Sequence, residues 1–301
     1  MSLLSEPMAG RAALAAEAPT HGYSAQGLSP LMHTCIGAAT GMIECAVNQP
    51  LVGWKNAVQD KRPIPMDLRG MYRGVFINAG AFGPITAVQF GVNRVVEQLI
   101  MEPGQVQTTS SQKMTCALTA GFFSSVITSP AEMIMIQQQR TGMGLGETVA
   151  SMYRRCGGAS IFKRGFSLTA TRDMIHCGGY LGMCPILMDY FKGLESFKDN
   201  QKTATVLGGS CAGVVVGIST HPFDTIKTRF QANIGEDAVR TGYTSVRSTS
   251  VSLYQEGGLP LLYAGGVPRL IRLIFAMNLL AVLKDKFVME AEIFQGIRER
   301  E

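Results

Sequence analysis

The chain is predicted to be an all-α membrane protein of six transmembrane helices, built from three tandem repeats. Three observations predict this. Pro50, Pro130 and Pro222 each follow a glycine by nine residues (Gly41, Gly121, Gly213) and precede a glutamine by nine (Gln59, Gln139, Gln231). Apolar stretches of bilayer-spanning length recur in pairs. The composition is 46% hydrophobic and only 16% charged, and mean hydropathy is above zero, too apolar for an ordinary soluble domain. A unit repeated three times implies three copies of one structural module.

The elements follow in order. Residues 1–29 are Ala/Ser/Gly/Pro-rich, lack the apolar core of a secretory signal and make a poor mitochondrial presequence; a disordered tail is expected. Repeat one covers 30–104, repeat two 105–198 and repeat three 199–292, with a tail at 293–301. Within them, helical spans are predicted near 30–59, 74–100, 113–140, 166–192, 203–232 and 266–290, each above the roughly 20 residues that a bilayer needs. The odd-numbered spans contain the prolines, which remove one backbone hydrogen bond and kink the axis. Neighbouring helices or water must satisfy the freed carbonyl. An aromatic followed by glycine opens each even span: Tyr72–Gly74, Phe162–Gly165 and Tyr263–Gly265. Polar segments between the halves of repeats two and three have room for an amphipathic surface helix; repeat one has little.

The net charge of +5 comes without a Lys/Arg cluster interleaved with aromatics, which argues against nucleic acid and for anionic lipid or an anionic solute. The seven cysteines are scattered without a CxxC, so neither a disulfide framework nor a zinc site is supported. No nucleophile–base constellation or phosphate loop is present, and the chain is not expected to be an enzyme or to need a metal or cofactor.

The decapeptide PFDTIKTRFQ (222–231) is similar to the mitochondrial carrier signature, Px[DE]xx[KR]x[KR]xQ, and EGG…LYAG (256–265) resembles the same family. The resemblance spans about 30–290. It implies three helix pairs around a pseudo-threefold axis, short matrix helices, and one central site open alternately to matrix and intermembrane space. It also implies a monomer in the inner mitochondrial membrane with bound cardiolipin. In the family each acid after the proline pairs with the base of the next repeat and closes the matrix side. Here Glu132 is expected to meet Lys227, and Asp224 to meet Lys55. Val52 and Met135 stand where the third acid and base belong. Replacing both members of a buried pair by apolar groups is often neutral, so a gate of two bridges and one apolar contact is expected, braced by Gln59, Gln139 and Gln231.

By the same resemblance the solute contacts fall on Ala81, Arg172 with Asp173, and Arg272. Arginine binds a carboxylate through a planar fork, and Asp173 suits an ammonium group. This points to a small carboxylate, an amino acid or a keto or dicarboxylic acid, carried by exchange or import. His176 and Tyr180 are spaced to share the face of Arg172, with packing an equal alternative for His176. Asn78 is a further hydrogen-bond candidate. Arg73, Lys163 and Arg164 open even spans, where cardiolipin phosphates or interfacial snorkelling are the two readings.

The outer network of the family does not match. Its positions read Arg94/Glu97, Pro185/Met188 and Lys284/Phe287. That mismatch supports an alternative, a carrier-like structural subunit of a larger respiratory or ATP-synthase assembly.

Overall fold

The structure is a computed structural model and describes residues 30–101, 105, 108–198 and 200–275. Both predicted tails, 1–29 and 293–301, and the sixth span beyond Phe275, including Lys284 and Phe287, lie outside the described residues.

Repeat one contributes α1 (Pro30–Gln59), the single turn α2 (Leu68–Met71) and α3 (Val75–Ile100). Repeat two contributes α4 (Ser110–Thr141), the surface helices α5 (Leu145–Cys156) and α6 (Gly158–Lys163), α7 (Phe166–Cys177), a π-helical turn (Gly178–Met183) and α8 (Cys184–Gly193). Repeat three contributes α9 (Gln201–Ala232), α10 (Glu236–Thr241), α11 (Val246–Leu262) and α12 (Gly266–Phe275). Among the described residues there is no strand.

Local chemistry sets several boundaries. Thr109 and Gln112 form a reciprocal capping box at the start of α4, and Ser245 with Ser248 does the same for α11. Gly142, at φ 81°, ends α4 by turning the chain into the left-handed region. Pro50, Pro130 and Pro222 sit inside α1, α4 and α9, and the helices continue past them.

Consecutive spans pack in chain order: α1 on α3, α3 on α4, α4 on α7, and both α7 and α8 on α9. Contacts from α9 back to α1 close the circuit. The same closure appears at the three glycines opening the even spans. Gly74, Gly165 and Gly265 have φ of 84°, 81° and 76°, a conformation that a β-carbon disfavours. Each lies against the next repeat. A β-carbon on Gly74 would fall 2.7 Å from Met135 Cγ; on Gly165, 3.1 Å from Gln231 Cγ; on Gly265, 3.2 Å from the Lys55 carbonyl. Repeat one therefore leans on two, two on three, and three on one.

Burial is inverted relative to a soluble protein. Glu44, Asn48, Lys55, Ser124, Thr128, Asp224 and Lys227 are buried, whereas Phe76, Leu99, Phe123, Val126, Val215 and Ile218 are exposed. An apolar exterior around a polar interior is what a bilayer selects. The polar interior also lowers the mean hydropathy of the spans. Among the described residues the stretches Leu68–Ile100 and Gln201–Ala232, and the pair Val246–Leu262 with Gly266–Phe275 bent by 47° if taken as one span, are long and apolar enough to cross a membrane on that measure, although six spans are expected. A small dry cluster of Met133, Met152, Ile161 and Ile234 seats α5 and α6 against α4 and the end of α9.

Candidate gate and solute site

The halves of α1, α4 and α9 that follow the prolines bring together side chains from all three repeats. Lys55 Nζ lies 2.7 Å from Asp224 Oδ2, both buried. Lys227 is ion-paired with Glu132. Val52 and Met135 are buried without charge. Met135 packs over Gly74, and its sulfur lies 3.9 Å from Gln49 Nε2.

The gate holds more charge than its two pairs. Arg172, reaching in from α7, puts Nη1 2.8 Å from Glu132 Oε1 and 3.2 Å from Asp224 Oδ1, and Nη2 2.6 Å from Asp173 Oδ1. It is thus held by three carboxylates, whereas the sequence reading left it free for a solute. A buried guanidinium has five donors and settles where carboxylates take them. Asp173 Oδ2 remains buried and unpartnered. Arg269, given no role from sequence, is buried and donates to Thr220 at 2.6 Å, with Nη1 3.8 Å from Asp224. Its spacing of three from Arg272 in VPRLIR was the available signal. Four cations (Lys55, Lys227, Arg172, Arg269) thus face three carboxylates (Glu132, Asp173, Asp224).

Arg272 differs. It is half-buried, its Nε is buried without a partner, and it forms no hydrogen bond or ion pair among the described residues. Glu44 was also missed. It is a buried carboxylate in α1, bonded by Asn48 Nδ2 at 2.8 Å, and an acid inside an apolar span was itself the clue. Ala81 is buried in α3, and Asn78 donates to Gln49 Oε1 at 2.9 Å.

Three expected placements change. Gln59 does brace an ion pair, donating to Asp224 Oδ2 at 3.3 Å and Thr225 at 3.1 Å. Gln139 and Gln231 instead donate to the carbonyls of Arg73 (3.2 Å) and Arg164 (3.1 Å), just before the left-handed glycines. Those carbonyls face the next repeat and are closer than the charged pairs. Arg164 does not offer its guanidinium to lipid. It donates to the carbonyls of Phe230 and Asn233 at the end of α9 and of Tyr243 after α10, and stacks on Phe230. Tyr180 falls in the π turn, whose wider spacing departs from the 3.6-residue period on which it was placed with Arg172 and His176. Tyr180 is exposed; Gly179 in the same turn abuts Val216 of α9. Arg73 keeps its place before Gly74, with its guanidinium beside Gly142. On the outer side, Arg94 pairs with Glu97 of its own helix at 3.7 Å.

An inverted-polarity ring of helices with a charged constriction defines a membrane transport protein. Residues 198–289 match the family profile described as mitochondrial carrier protein. The chain is 28% identical over 212 residues to mitochondrial magnesium exporter 1 of Drosophila melanogaster, covering 68% of this chain and 69% of that protein. It is 26% identical over 233 residues to mitochondrial glutamate carrier 2 of Mus musculus, covering 67% and 71%. It is also 26% identical over 216 residues to the mitochondrial glycine transporter YMC1 of Saccharomyces cerevisiae, covering 68% and 69%. The chain is a divergent relative of the mitochondrial carrier proteins, similar to them over residues 198–289 by family profile and, at low identity, over about two thirds of its length.

Proposed function

We propose that the protein carries a small carboxylate, an amino acid or a keto or dicarboxylic acid, across the inner mitochondrial membrane by alternating access. The observation behind this reading is Arg172. It stands where the family resemblance puts a solute contact, and it holds the gate acids Glu132 and Asp224. A solute carboxylate that draws its fork away loosens the cross-repeat bridges, so binding and gate opening compete for one side chain. Arg272, which has no partner among the described residues, supplies the first anchor, and Asp173 Oδ2 suits an ammonium group. The surplus of cations in the gate favours an anion over a divalent metal such as the magnesium named for one relative; glutamate and glycine, named for two others, fit the carboxylate chemistry. Cardiolipin belongs to this proposal at the turn before Gly74, with Arg73 as its cation.

The test is uptake of labelled glutamate, glycine and 2-oxo and dicarboxylic acids into liposomes holding the folded protein. Uptake of at least one is expected, with Arg272→Gln lowering it about tenfold or more, as loss of a charged hydrogen-bonding anchor implies. No uptake by folded protein overturns the proposal. Stoichiometric co-migration with a respiratory or ATP-synthase complex would then favour the structural-subunit reading, to which the intrahelical Arg94–Glu97 contact lends some support.

A further inference from the structure

On the side of the gate facing the surface helices lies an open cavity of about 330 Å³. It is lined by the ends of the odd spans of all three repeats: Asp60 and Lys61 after α1, Arg140 of α4, and Arg229 of α9 with Asn233, Tyr243 and Glu256 beyond it. Its two carboxylates already have partners. Asp60 accepts from Arg140 at 2.9 Å and lies 3.6 Å from Arg62. Glu256 takes Lys61 at 2.6 Å and the Tyr243 hydroxyl at 2.7 Å. Arg229 has none. It is 5% exposed, and its Nε and Nη2 are buried with no hydrogen bond.

Those two nitrogens form one edge of the planar guanidinium, the edge that grips a carboxylate or phosphate with two parallel bonds. Nearby arginines show that helix ends alone do not explain this. Arg62 donates to the Gln139 carbonyl and Arg164 to those of Phe230 and Asn233. Those guanidiniums satisfy the C-terminal carbonyls of α4 and α9, as helix ends require. Arg229 lies in α9 and makes no such bond. A buried guanidinium edge without an acceptor is costly, and a ligand that supplies one is favoured.

We infer that this cavity is a second site, for a small free anion bearing a phosphate or carboxylate group, held by Arg229 with Arg140 beside it. An anion there touches all three repeats below the bridges and favours the closed gate. That consequence rests on the gate reading above; the binding itself does not, and it is measured with no transported solute present.

The probe is inorganic phosphate, added to the purified full-length protein in mild detergent at constant ionic strength, with chloride as control. Thermal unfolding should shift upward and saturate with phosphate, beyond any chloride effect. Arg229→Gln should raise the half-saturating concentration about tenfold or more. Arg229→Lys, which keeps the charge and loses the fork, should also weaken binding. If Arg229→Gln does not fold, Arg140→Gln provides the second reading, with a several-fold weakening. A shift no larger than that of chloride overturns the proposal, as does an unchanged half-saturation in the folded variants. A shift produced by cardiolipin and not by phosphate assigns the cavity to a lipid headgroup and overturns the free-anion site.

Discussion

The three cross-repeat contacts of the gate are built from two kinds of chemistry. Where repeat three meets one and two, Asp224 and Lys227 engage Lys55, Glu132, Arg172 and Arg269. Where repeat one meets two, the buried Val52 and Met135 occupy the equivalent places, and Met135 packs over Gly74 beside Gln49. The same fold tolerates both because the cost of a buried charge lies in isolating it. A pair removed together leaves nothing unpaired, whereas a single change on the charged side strands several groups.

The largest expected effect follows from breaking the charged side. Asp224→Asn leaves Lys55 without its carboxylate and withdraws a partner from Arg172 and Arg269. A loss of about 3–5 kcal/mol is expected, read as a collapse of the unfolding midpoint of the purified protein. A midpoint within error of wild type would mean that the cluster is solvated and not load-sharing.

A smaller effect is expected from charging the apolar side. Val52→Asp alone buries an acid with no base, costing about 3 kcal/mol, and Met135→Lys alone does the same with the opposite sign. Together they should recover most of the loss, with a coupling of about 1–3 kcal/mol in the double-mutant cycle. Additive penalties would show that these positions do not face one another as a pair.

The smallest effect lies outside the gate and sets a scale for a hydrogen bond to a surface carboxylate. Tyr243→Phe removes the bond to Glu256, at about 1.5 kcal/mol. Burial, and after it that hydrogen bond, pushes the Tyr243 hydroxyl up to about 12 from its usual value of 10.0. A raised value means that the folded state holds the proton more tightly. Its contribution is therefore complete below pH 10 and is lost as pH rises toward about 12. Stability measured across that window should fall more steeply for wild type than for Tyr243→Phe; parallel curves would count against the bond.

Much of this was legible because the repeat supplies its own internal comparison. Aligning the three prolines marked Lys55 and Asp224, the family resemblance paired them, and the two lie 2.7 Å apart. Aligning the aromatic–glycine steps marked Gly74, Gly165 and Gly265, all of which adopt positive φ. Other features had no counterpart to align. Arg172 is in α7, and nothing in its own neighbourhood tells that Glu132 and Asp224 will surround it. His221, next to Pro222, reaches the Ala264 carbonyl at 3.0 Å, as Gln49 next to Pro50 reaches that of Arg73. Ser129 is too short for the same task, and Gln231 from the next repeat bonds Arg164 instead. The π turn at Gly178–Met183 breaks the 3.6-residue period on which Tyr180 was placed.

The sequence by itself determined the number of repeats, the positions of the prolines inside the odd spans and which charges were available, because each depends on residue identity at a fixed spacing along one chain. Only the tertiary structure decided who pairs with whom beyond that order. Arg172 turns to three carboxylates, Arg164 to three carbonyls, and Arg229 and Arg272 are left with unpartnered nitrogens. A guanidinium takes whichever acceptors the packing of other repeats brings within about 3 Å, and that distance is set by helices far apart in sequence.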